Sequence, residues 1–155
     1  MATDPERSPR DAGDEPDELD EAGAPDAADD AALLAELAER ESAYALYQRG
    51  QGLLKRRHHA QAAIVLERAA RLEPGRGSIV EALARAYYNS GQHGAAADAF
   101  RELLTIDPSN AYGHFGLGQA LKLLGRVGEA RTHLRLAVAL APDSSLYRGA
   151  LERLG

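Results

Sequence analysis

The side chains with the widest chemical range in this 155-residue chain are its five histidines. There is no cysteine, so disulfides, thiolate zinc sites and cysteine nucleophiles are all excluded. His58 and His59 adjoin a basic pair, Arg56 and Arg57, and His93 lies 34 residues beyond His59. No carboxylate at metal-ligand spacing accompanies them, and there is no HExxH pattern. They read as solvated turn histidines, with no metal expected. Gly50-x-Gly52 and Gly116-x-Gly118 have the outline of phosphate loops. Neither follows a strand, and neither is completed by the further glycines such loops need. The Arg56–His59 cluster is small and the net charge is −6, which argues against a nucleic-acid partner. No nucleophile and base stand at a useful spacing. The sequence therefore predicts no enzyme, no cofactor and no metal.

The elements that must position any functional residue repeat along the chain. Pro74, Pro108 and Pro142 are spaced by 34 and 34 residues, and other columns keep that step. Ala62, Ala96 and Ala130 align, as do Gly50, Ala84 and Gly118. So do Leu66, Phe100 and Leu134; Leu72, Ile106 and Leu140; Leu53, Tyr87 and Leu121; and Ala69, Leu103 and Ala137. A fixed period in this range signals a repeat array. Each unit splits into two amphipathic stretches. Val80, Leu83 and Tyr87 share one helix face, Asn89-Ser90-Gly91 breaks it, and Ala96, Phe100, Leu103 and Ile106 make the next stripe. The expected helices span 44–56, 60–72, 78–90, 94–106, 112–124 and 128–140. The small columns mark where the two helices of a unit approach closely.

These columns resemble the tetratricopeptide repeat. Units numbered from Ala43, Gly77 and Ala111 place a small residue at position eight and Leu or an aromatic at eleven. Alanine falls at twenty, Leu or Phe at twenty-four, a small or apolar residue at twenty-seven and Pro at thirty-two. The match departs from the family pattern at Arg49, where position seven is usually apolar, and at Leu46 and His114, which stand where Trp is frequent. The chain as a whole also resembles the short three-repeat members of high-GC bacteria. The resemblance implies an all-α, right-handed superhelix of three helix-turn-helix repeats: 43–76, 77–110 and 111–144. A helix over 31–42 would precede them, with Asp29 or Asp30 as its cap and no Gly or Pro before Gly50 to keep it from running unbroken into the first repeat, and a capping helix over 145–155 would follow.

The resemblance also implies where binding would occur. In this family the groove is lined by the first helix of each unit. Carried over position by position, it comprises Tyr44, Tyr47, Gln51, Leu54 and Lys55; Ser78, Glu81, Arg85, Tyr88 and Asn89; and Tyr112, Phe115, Gln119, Lys122 and Leu123. Tyr44, Tyr47, Tyr88, Tyr112 and Phe115 are five of the chain's eight aromatic residues, and such side chains anchor interfaces. About two of them are expected to serve the core instead. Lys55, Arg85 and Lys122 would favour an acidic ligand. Gln51, Asn89 and Gln119 complete the implied groove set. The Lys/Asn/Arg clamp by which some family members hold a terminal carboxylate is absent, since Tyr47, Gln51, Ala82, Tyr112 and Gly116 occupy its positions.

The charge is divided along the chain. Residues 1–41 carry fifteen acidic and three basic side chains; residues 42–155 carry nine and fifteen. Residues 1–30 contain four prolines, no aromatic residue, and Leu19 as their only Leu, Ile or Val. Such a composition cannot offset the entropy of ordering, so a disordered acidic tail is expected. Neither a secretory leader nor an 18-residue apolar run is present, which predicts a cytoplasmic protein without membrane insertion. The expected function is a scaffold or adaptor that binds a peptide or helix of another protein. The alternatives are a chaperone or assembly factor dedicated to one client, or a self-associating regulatory subunit.

Overall fold

The computed structural model describes residues 27–155, so the expected tail lies outside the described residues for positions 1–26. Seven helices follow one another: α1 Ala27–Lys55, α2 His59–Leu72, α3 Gly77–Asn89, α4 His93–Ile106, α5 Ala111–Leu123, α6 Val127–Leu140 and α7 Ser145–Leu154. No strand occurs among the described residues. Residues 38–155 form an all-α superhelix of paired helices. The bounds of α2 to α6 fall within one residue of those expected from the 34-residue period.

The stretch over 31–42 and the first helix of the first repeat are one unbroken α1. Nothing between Ala27 and Gly50 breaks a helix, and Gly50 itself is tolerated inside it. The start moves from 31 to Ala27. Ala27 and Ala28 are strong helix formers. Asp29 and Asp30 do not cap the helix but lie in its first turn, where carboxylates complement the helix dipole. Every residue from 27 to 37 is exposed. Residues 38–155 form a unit of their own.

Within that unit the repeat columns have direct steric causes. Ala62, Ala96 and Ala130 have no exposed surface. A Cβ on Gly50 would stand 2.5 Å from Leu66, and one on Gly118 would stand 2.8 Å from Leu134. Both contacts lie between the two helices of one repeat, so these columns must stay small. Leu66, Phe100 and Leu134 are the fully buried knobs that fill the space. The column Leu72, Ile106 and Leu140 behaves differently. Its members are 41%, 41% and 43% exposed, because they end their helices at the rim of the array rather than in the core.

The helix ends follow local chemistry. α2, α4 and α6 each stop two residues before a proline. The Asn110 side chain accepts the Gly113 amide at 2.7 Å, and Ser144 accepts that of Tyr147 at 3.2 Å. Each helix from α2 onward packs on the next, and α3 also meets α5. Thus the first helices of neighbouring repeats share a face. Arg49 is exposed, whereas Leu83 and Leu117 at the same repeat position are buried. Among the described residues no earlier helix pair packs on the first repeat, so its seventh position has nothing to bury against.

Candidate binding groove

The face shared by α3 and α5 carries a cavity of about 190 Å³ lined by Arg85, Tyr88, Asn89, Phe100, Tyr112, Phe115, Gly116 and Gln119. Its floor is Phe100 of α4, buried against Val80, Ala84 and Leu117. Gly116 creates the space, since a Cβ there would stand 2.2 Å from the Phe100 ring. Tyr112 meets Phe100 edge-on at 5.9 Å, and Phe115 lies 6.4 Å from Tyr112. Tyr147 of α7 lies nearly parallel to Phe115 at 4.8 Å, so the C-terminal helix extends the aromatic wall.

Arg85 links this cavity to a second one of about 310 Å³, whose lining includes Tyr47, Gln51, Ser78, Glu81 and Asn110. The Arg85 guanidinium donates to the Gln51 side-chain carbonyl at 3.3 Å, and the Gln51 amide donates to the Tyr47 hydroxyl at 2.9 Å. Arg85 and Gln51 stand at the same position of adjacent repeats, so the period itself brings them together. A third cavity, of about 120 Å³, lies between Tyr44, Tyr47, Arg76 and Ile79. Tyr44, 64% exposed, accepts there from Gln48 at 2.8 Å.

Tyr88, Tyr112 and Tyr147 are neutral phenols. Burial raises the pKa of Tyr112, and the neighbouring Arg85 offsets part of that rise. Burial also raises Tyr88 and Tyr147. The hydroxyls therefore act as hydrogen-bond groups rather than as charges.

The structure thus gathers Arg85, Tyr88, Asn89, Tyr112, Phe115 and Gln119 around one cavity, joined through Arg85 to Gln51 and Tyr47. Lys55 and Lys122 line none of these cavities; both are exposed in the last turns of α1 and α5, where a cation complements the helix dipole. Tyr88 and Tyr112 pack partly against the core as well as lining the cavity. Sequence reasoning missed Phe100, Gly116 and Tyr147 as groove residues. Phe100 stood in a core column, and only the absent Cβ of Gly116 lets its buried ring line the cavity.

The histidines divide into two groups. His58 is exposed, but His59 and His93 are half-buried at the starts of α2 and α4, each with Nδ1 buried and unpartnered. They are therefore not the fully solvated turn residues expected. His114 is buried. Its Nε2 lies 2.9 Å from the Pro108 carbonyl, which can only accept, so Nε2 carries the proton. Its Nδ1 lies 3.1 Å from Nδ1 of His133, with the two rings stacked, so one nitrogen donates and the other accepts. Among the described residues no three His, Cys, Asp or Glu side chains gather where a metal could be held.

The tetratricopeptide repeat model matches residues 47–111 and 81–145. Superkiller complex protein 3 of Mus musculus is 30% identical over 128 residues, which cover 80% of this chain and 8% of that protein. The chain thus spans less than a tenth of the length of this curated relative. The first repeat domain of Spaghetti (RPAP3), bound to the HSP90 peptide SRMEEVD, superposes with a TM-score of 0.69 at 17% identity, covering 74% of this chain and 90% of that one. The type III secretion chaperone SycD of Yersinia enterocolitica, in complex with a peptide of the translocator YopD, gives 0.63 at 18% identity, covering 74% and 87%.

Proposed function

Since the chain belongs to the tetratricopeptide repeat family, we propose that it is a non-catalytic interaction module holding a peptide or helix segment of a partner protein on the face of α3 and α5. The observation that supports this is the Arg85-centred aromatic cavity, continuous through Gln51 and Tyr47 with the face of the first repeat. Aromatic walls give large contact area at low entropic cost, and one half-buried guanidinium fixes orientation and favours an acidic segment. Arg85 is the cation that supports an acidic partner; Lys55 and Lys122 add only to the surrounding field. Two fold neighbours are described with bound peptides, which agrees with this use of the fold.

The test is selection of a random decapeptide display library on the full chain and on its Tyr112→Ala/Phe115→Ala variant. Peptides enriched on the parent should fail to bind the double variant while its far-UV circular dichroism is unchanged. Absence of enrichment, or equal binding by a folded double variant, overturns the assignment. An adaptor releases such peptides reversibly. A dedicated chaperone instead co-purifies with one client, so isolation of the full chain from its own cells separates the two roles.

A further inference from the structure

We propose that the cavity between α3 and α5 is an anchor pocket for a tyrosine side chain of the partner peptide, with an acidic residue within two positions of that tyrosine pairing with Arg85. This rests on the groove function above and specifies its ligand.

Size sets the first limit. An apolar protein cavity of about 150 Å³ holds one benzene ring. At about 190 Å³ this pocket takes a single ring, not the face of a helix. Its walls set the second. Tyr88, Phe100, Tyr112 and Phe115 present ring edges and faces to whatever enters, which favours an aromatic side chain over an aliphatic one.

Charge sets the third. Arg85 is half-buried, and its polar partners are the neutral Gln51 carbonyl and the Tyr112 hydroxyl. No carboxylate among the described residues forms an ion pair with it. Glu81, one turn earlier on α3, lines only the second cavity. The 3.3 Å bond to Gln51 is longer than the usual N–H···O range and is readily exchanged. A planar guanidinium left in this state is a bidentate receptor for a carboxylate at the mouth of the pocket.

The last limit is a missing donor. Gln119 lines the same pocket, and its Oε1 is buried without a hydrogen-bond partner. The terminal torsion of a glutamine is broad, so rotation about it can turn this oxygen toward an incoming group. A ring carrying a hydroxyl at its edge satisfies it. Phenylalanine fills the same space and leaves it unpaired.

The experiment reads the composition of the peptides enriched on the full chain in the selection above. Tyrosine with Asp or Glu within two positions should dominate. The best peptide is then resynthesised with Tyr→Phe, and both versions are titrated against the parent chain and Gln119→Leu. The Phe version should bind the parent at least about tenfold more weakly, since a site that hydrogen-bonds a hydroxyl rejects the analogue lacking it. That gap should close in Gln119→Leu, where no acceptor remains. A Gln119→Met variant repeats the cycle should the leucine variant melt early. Arg85→Gln should weaken the Tyr peptide and flatten its salt dependence. Peptides that need Tyr112 and Phe115 but carry no tyrosine beside an acid overturn the anchor assignment and leave the groove function standing. Equal affinity of the Tyr and Phe versions for the parent also overturns the anchor. Failure of the selection itself overturns both.

Discussion

Gly116 and Phe100 show how one absent atom shapes the groove. Phe100 is fully buried, so its ring cannot swing away, and a methyl group on Gly116 would stand 2.2 Å from it. Gly116→Ala should therefore destabilise the fold by about 1–3 kcal/mol through overpacking. Adding Phe100→Leu should recover part of that loss, whereas Phe100→Ala alone should cost about 3–5 kcal/mol. Urea melts of the three variants check this; an unchanged Gly116→Ala midpoint contradicts the close approach. His133 gives a second test. Burial first, then His114 and Arg101, hold its pKa below the ordinary histidine value, with Glu129 opposing. The folded protein thus takes up this proton less readily than the unfolded chain. As pH falls through about 6.5, the unfolded chain binds it first, and stability is lost down to the folded pKa. Melting temperature should fall as pH drops below about 6.5, and the fall should be shallower in His133→Phe. Equal slopes would remove His133 from the account.

At the scale of elements, the turn inside each repeat explains a conformation that sequence columns hide. Arg57, Gly91 and Gly125 stand 34 residues apart, and all three have positive φ: 65°, 85° and 81°. Two repeats place glycine there, where the left-handed conformation is free of Cβ strain. The first repeat holds an arginine in the same conformation, at a cost of about 1–3 kcal/mol. Arg57→Gly should therefore stabilise the protein by about 1 kcal/mol after the extra chain entropy of glycine. A thermal melt reads the shift, and a lower midpoint would mean that the arginine makes a compensating contact.

At the scale of the molecule, a solenoid is held by nearest-neighbour packing, so its ends should open first. Seven residues of α5 are buried, whereas Ala150 is the one buried residue of α7. Native-state hydrogen exchange should show α3, α4 and α5 slowest and α7 fastest among the helices of residues 38–155. Partner peptide should slow α7 as well, because Tyr147 lies against Phe115 in the groove wall. Uniform exchange along the array would indicate one all-or-none unit instead.

The sequence by itself determined the helix pairs, their register and the family, because each depends on spacing along one chain. A 34-residue period places Gly50 against Leu66 and Gly118 against Leu134 wherever the repeats stack. Most of the residues around the candidate cavity were legible for the same reason: Arg85 and Gln51 are one period apart. Tertiary structure alone decided what crosses that period. Phe100 reaches the groove floor only because Gly116 of the next repeat has no side chain. Tyr147 joins the wall from a helix that reads only as an end cap. Lys55 and Lys122 hold groove positions in the pattern yet project to solvent at helix ends. Repeat position fixes which way a Cα–Cβ bond starts out, but where a long side chain ends depends on neighbours that no single repeat contains.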